Sequence, residues 1–114
     1  MRTLKLFIKA LSLNTAYPTG RNGRRFLSQK GKVYKEEIGW AAREQGLPLL
    51  TGNLSVDYTF AFSDNRKHDL DNLPKLFSDA LTGIWFCDDS QIIELKARKV
   101  KADQEYIEIK LKEV

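Results

Sequence analysis

The chain has 114 residues, 42% hydrophobic and 30% charged, with a formal net charge of +4. That size suits one domain, expected over 1–114, and that balance excludes a disordered polyelectrolyte. No apolar run approaches the roughly 18 residues of a membrane-spanning helix, and the single Cys87 excludes an intrachain disulfide and a cysteine-based zinc site.

Charge is unevenly spread. Residues 1–50 hold ten Lys/Arg and three Glu, net +7, whereas residues 51–114 hold nine Lys/Arg and twelve Asp/Glu, net −3. A basic surface favours a polyanion. Every aspartate lies in the second half. No secretory signal is expected at the start, which alternates apolar and basic residues, so the expected setting is a reducing cytoplasm with no membrane partner.

Thr3 to Leu11 places Leu4, Leu6, Ile8 and Ala10 on one side of a strand. SLNTAYPTGRNGRRFLS then reads as a loop, and it carries Arg21, Arg24 and Arg25. Ser28 suits the N-cap of a first helix, with Tyr34, Ile38, Ala41 and Ala42 at helical spacing and Gly46-Leu-Pro as the stop. Leu54 to Phe62 alternates strictly, so a second strand is expected. A second helix is predicted from near Asp71 or Asn72, where Leu73, Leu76, Phe77, Ala80 and Leu81 form one stripe and Thr82-Gly83 ends it. Pro74 is tolerated in its first turn. Two more strands follow, about Ile92 to Val100 and Gln104 to Lys112, joined by a link of hairpin length. The order βαβαββ predicts an α+β fold: a four-stranded mixed or antiparallel sheet with two helices packed on one face.

The aspartates raise the functional question. Asp69 and Asp71 stand at the entry of the second helix, and Asp88 and Asp89 follow its end. A cap or a turn accounts for one member of each pair. A helix over 72–82 is roughly 16 Å long, and residues 83–86 reach at most about 14 Å, so Asp69, Asp71 and Asp89 are able to meet. Charges about 5 Å apart repel by roughly 3 kcal/mol at an effective dielectric of 20, so such a cluster suits a hard cation, which in turn suits phosphodiester hydrolysis. A calcium loop counted from Asp69 fails, because Leu73, Pro74 and Ala80 fall where a ligand, Gly and Glu are required. Lys75 pairs on the helix with Asp71 or Asp79, or serves as a cation beside the site. His68 is expected to be a solvated loop residue, Cys87 a small buried one, and Lys96, Arg98, Lys99 and Lys101 the solvated face of a strand. The single histidine does not furnish a serine-histidine-aspartate site.

The string Arg66-Lys-His-Asp69-Leu-Asp71-Asn72-Leu-Pro-Lys75, then Asp79-Ala-Leu, then Asp88-Asp89-Ser-Gln-Ile92, resembles the RusA family of Holliday junction resolvases, the crossover junction endodeoxyribonucleases. Ser28, Gly31 and Tyr34 add to the likeness, which covers almost the whole chain. The resemblance implies a Mg²⁺-dependent nuclease of bacterial or phage origin that cuts four-way DNA junctions as a homodimer, in recombination and repair. It implies Asp69, Asp71 and Asp89 as metal-binding and catalytic residues and Lys75 as a catalytic lysine. Arg21, Arg24, Arg25, Arg66 and Lys67 are expected to contact the DNA backbone. A non-catalytic nucleic-acid-binding module, and a metal nuclease acting on flaps or forks, are the alternatives.

Overall fold

The computed structural model describes residues 1–114. It contains β1 (Arg2–Leu6), α1 (Leu13–Ala16), α2 (Gln29–Glu44), β2 (Leu54–Phe62), α3 (Pro74–Leu81), β3 (Ile92–Lys101) and β4 (Tyr106–Glu113), with 3₁₀ turns at Leu70–Asn72 and Asp89–Gln91. The fold is α+β with one mixed sheet in the order β1-β4-β2-β3, in which β2 and β3 run parallel and the other neighbours antiparallel.

β2 sits between two strands, and its alternation follows from that place. Leu54, Val56, Tyr58, Phe60 and Phe62 join Ile107, Ile109 and Leu111 of β4 and Leu4 of β1 in one core under the helices. The opposite face is polar. There Arg98 reaches Asp57 at 2.8 Å and Ser55 donates to Glu94 at 2.6 Å. α2 begins where Ser28 Oγ accepts the Gly31 N–H at 3.1 Å, and it buries Tyr34, Ile38 and Ala42. Gly31 lets α1 approach: a Cβ there would stand 2.7 Å from Leu27 Cδ1 and 3.1 Å from Ala16 Cβ. Phe77 of α3 lies edge-on to Tyr34 and Tyr58, with ring centroids 6.5 and 5.5 Å away, joining both long helices to the sheet.

Three expectations change. The first strand stops at Leu6 because its partner β4 starts at Tyr106, opposite that end of the register. The segment expected as loop contains α1, a single turn that Ser12 caps by accepting from Thr15 N–H at 3.2 Å. β3 and β4 are sequence neighbours but form no hairpin, since β2 lies between them. The four-residue link 102–105 steps across two strand spacings, about 10 Å, well within its reach. β4, with Ile107, Ile109 and Leu111 all buried, takes an interior place; β3, mostly exposed and rich in Lys and Arg, takes the edge.

Candidate active site

Parallel strands cannot be joined by a tight turn, so the chain between β2 and β3 must travel back along the sheet. α3 makes that return, and the loop before it is pinned to β3. Lys101 Nζ donates to the carbonyls of Ser63 and Asp64 at 2.6 and 2.8 Å, and Lys99 Nζ to that of His68 at 2.5 Å. In register Lys99 and Lys101 pair with Phe60 and Phe62, so they share the helix-covered face with Leu95 and Ala97. They thus stand on the opposite face from Lys96 and Arg98, though all four are exposed. The period-2 parity that assigns Leu95 and Ala97 inward carried that signal.

The return path opens a cleft of about 630 Å³ between α3 and β3. Asp71, Lys75 and Asp89 line it, together with Ser78 and a wall of Leu70, Pro74, Ile92, Leu95 and Ala97. Lys75 Nζ donates to Asp79 Oδ1 at 2.9 Å and to Asp89 Oδ2. These bonds, that to Asp89 foremost, hold the Lys75 ammonium well above the usual lysine range. The lysine side chain remains half exposed, and exposed ion pairs contribute only about 0–1 kcal/mol. The arrangement therefore says more about the cleft's electrostatics than about stability.

Asp71, in the 3₁₀ turn, is exposed and has no hydrogen-bond or ion-pair partner. Asp69 precedes the same turn, and its side chain makes no capping bond there. It is exposed and does not line the cleft. No three carboxylate, imidazole or thiol groups are gathered tightly enough to enclose an ion by themselves. Asp88 is a cap: its carboxylate accepts from Ser90 N–H at 3.2 Å, and that bond keeps its pKa below the ordinary aspartate value.

Two side chains stand elsewhere than expected. His68 is no solvated residue: its ring stacks on Phe62, centroids 3.7 Å apart, and its Nε2 lies 2.9 Å from Asp64. Lys9 first, then His68, depresses the Asp64 pKa. Cys87 is exposed, because burial ends with Trp85 and Phe86 and the chain then turns outward. Among the basic candidates, Arg21, Arg24, Arg66 and Lys67 are exposed. Arg25 is tethered, donating to Tyr17 O at 2.9 Å and Asn14 Oδ1 at 3.1 Å, and so helps shape the loop that presents Arg21 and Arg24. Gln91 donates to the carbonyls of Leu50 and Gly52, contacts its position in a polar motif did not reveal.

Comparison with known proteins agrees with this architecture of motifs. The profile of the family described as Endodeoxyribonuclease RusA matches residues 11–112. The crossover junction endodeoxyribonuclease RusA of Escherichia coli (strain K12) is 28% identical over 103 residues, 88% of this chain and 85% of that protein. The protein of the same name from Enterobacteria phage 82 is 30% identical over 90 residues, covering 76% of this chain and 74% of the relative. That of Lactococcus phage r1t is 36% identical over 80 residues, 62% and 59% of the two chains. The relatives are thus bacterial and phage proteins, and no helix here is long and apolar enough to cross a membrane. With the family profile spanning nearly its full length, this chain belongs to the RusA family of endodeoxyribonucleases.

Proposed function

We propose that this chain is a metal-dependent crossover junction endodeoxyribonuclease, hydrolysing phosphodiesters of a four-way DNA junction in recombination and repair. The meeting of Asp71, Lys75 and Asp89 in one cleft is the observation that carries the reading. Its donor set is carboxylate oxygen with no thiol or imidazole in the lining, and the Asp71 carboxylate is unpartnered; both features fit a hard divalent cation such as Mg²⁺. Asp71 and Asp89 would hold it, with Asp69 contributing by family resemblance. When bound, the ion supplies an activated water and charge stabilisation at phosphorus.

The chain's own residues do the rest. Lys75, kept protonated by Asp89 and Asp79, offers fixed positive charge and N–H donors to the scissile phosphate or its leaving oxygen. It is not a general base in that state. Arg21, Arg24, Arg66 and Lys67 hold the DNA backbone, with Arg25 supporting the loop of Arg21 and Arg24, and so offset its repulsion by the aspartates. One cleft per chain gives one cut, so two symmetric cuts call for a C2 homodimer.

The test is a labelled four-way junction incubated with folded protein in Mg²⁺ or in EDTA. Paired symmetric nicks in Mg²⁺ alone are expected; an intact junction under both conditions would sink the nuclease reading. Flap and fork substrates run alongside should be cut more slowly, and faster cleavage of either would reassign the substrate.

A further inference from the structure

We propose that Gln91 is a positioning residue of the cleft: its side-chain amide clamps the backbone that delivers Asp89 against the segment entering β2. The inference rests on Asp89 belonging to the nuclease site proposed above.

A primary amide has two donors and two acceptor lone pairs. Gln91 uses all four. Its Oε1 accepts from the backbone N–H of Cys87 at 2.7 Å and of Asp88 at 2.9 Å. Its Nε2 donates to the carbonyls of Leu50 at 3.0 Å and Gly52 at 2.9 Å. The two carbonyls can accept only from the NH₂ end and the two N–H groups can donate only to the oxygen end, so the amide has one workable orientation.

The bonds join segments about forty positions apart in sequence. One backbone bond, from Leu50 N–H to Trp85 O at 2.9 Å, links the same regions nearby. Gln91 therefore adds two side-chain bonds to the parallel bridge that pairs Leu50 with Phe86, and ties the 50–52 segment to the turn before β3. Asp89 follows Asp88, whose N–H the clamp holds, and precedes Ser90, whose N–H the Asp88 carboxylate holds at 3.2 Å. Its backbone is fixed on both sides while its carboxylate stays free to meet Lys75 across the cleft. Gln91 does not line the cleft, so it acts on cleavage through the backbone it holds, which carries Asp89 into the cleft.

The chemistry is exacting. Glutamate would keep the bonds from Cys87 and Asp88 but face two carbonyls with no donor. Methionine matches the length and offers neither half. A misplacement of about 1 Å costs on the order of 10²-fold in rate.

The test compares Gln91→Met and Gln91→Glu with the unsubstituted protein in two measurements. The first is single-turnover junction cleavage beside the junction Kd measured without cleavage. Both substitutions should slow cleavage by about 10- to 100-fold while Kd stays within about threefold. The second is amide hydrogen exchange. The Cys87 and Asp88 amides should exchange slowly in the unsubstituted protein and in Gln91→Glu, and fast in Gln91→Met. Cleavage by Gln91→Met within about twofold of the unsubstituted rate, or unchanged exchange at both amides, would overturn the proposal. So would loss of binding in step with rate, which marks a merely structural side chain. If the unsubstituted protein cuts no junction, the nuclease reading fails and the positioning role falls with it. Slow exchange at both amides would then show that the site was misread and the clamp was not.

Discussion

Asp71 and Asp89 face the same cleft under opposite conditions: one has no partner, and the other is held by Lys75. Removing the Asp71 charge therefore breaks no bond of the fold. Asp71→Asn is expected to lower junction cleavage by about 10²-fold or more, keep junction affinity, and leave the metal-free protein within about 0.5 kcal/mol of its parent or slightly more stable. Cleavage assays and metal-free thermal unfolding check this; a large loss of melting temperature would mean a structural aspartate. At this scale the sequence distinguished chemistry from geometry unevenly. Asp88 reads only as a turn residue before a strand, and the structure makes it the cap of the 3₁₀ turn Asp89–Gln91. Asp69, in a like position, makes no capping bond with its side chain. His68 and Cys87 were illegible for a single reason: neighbours in sequence say little about which face a loop residue turns to the protein. Phe62, six positions earlier, is what sequesters the imidazole.

α3 and β2 were the most readable elements, since each carries an apolar pattern with one period and a clear stop. The Gly83 stop has φ +86°, a left-handed conformation that glycine adopts without strain. Packing between these two elements hides a polar contact that no pattern announces: Tyr58 and Ser78 share a buried hydrogen bond of 2.6 Å. Burial raises the Tyr58 pKa, so the phenol stays neutral and the bond persists through the ordinary pH range. Ser78→Ala should cost about 1–3 kcal/mol, because it strands the phenol oxygen. Joining it to Tyr58→Phe should cost less than the sum of the single changes, by about 1 kcal/mol, in denaturant unfolding. Strict additivity would mean that the two groups do not interact. The return path from β2 to β3 escaped sequence reading for another reason. It depends on Lys99 and Lys101 reaching carbonyls more than thirty positions away, and lysines on a strand look alike whichever face they serve.

Over the whole molecule the charge imbalance becomes a division of labour. The N-terminal half presents Arg21 and Arg24 on a tight turn, where Gly20 N–H donates to Arg24 O at 2.7 Å and Gly23 takes φ +77°. The C-terminal half carries the carboxylates. If that turn grips the DNA backbone, Arg24→Ala should weaken junction binding and reduce the log Kd against log salt slope by about 0.9. An unchanged slope would remove the turn from the interface. The strand order was the least legible feature at this scale, since a link as short as 102–105 reads as a hairpin unless one knows that β2 lies between β3 and β4. That order has a consequence for assembly in time. β1 and β2 share no hydrogen bonds; each borders β4, which is made after every other strand. During synthesis from the N-terminus, the earliest strand has nothing in the sheet to join until residues 106–113 arrive. The last strand made is the keystone, and the sheet cannot be built by adding neighbours in the order of their birth.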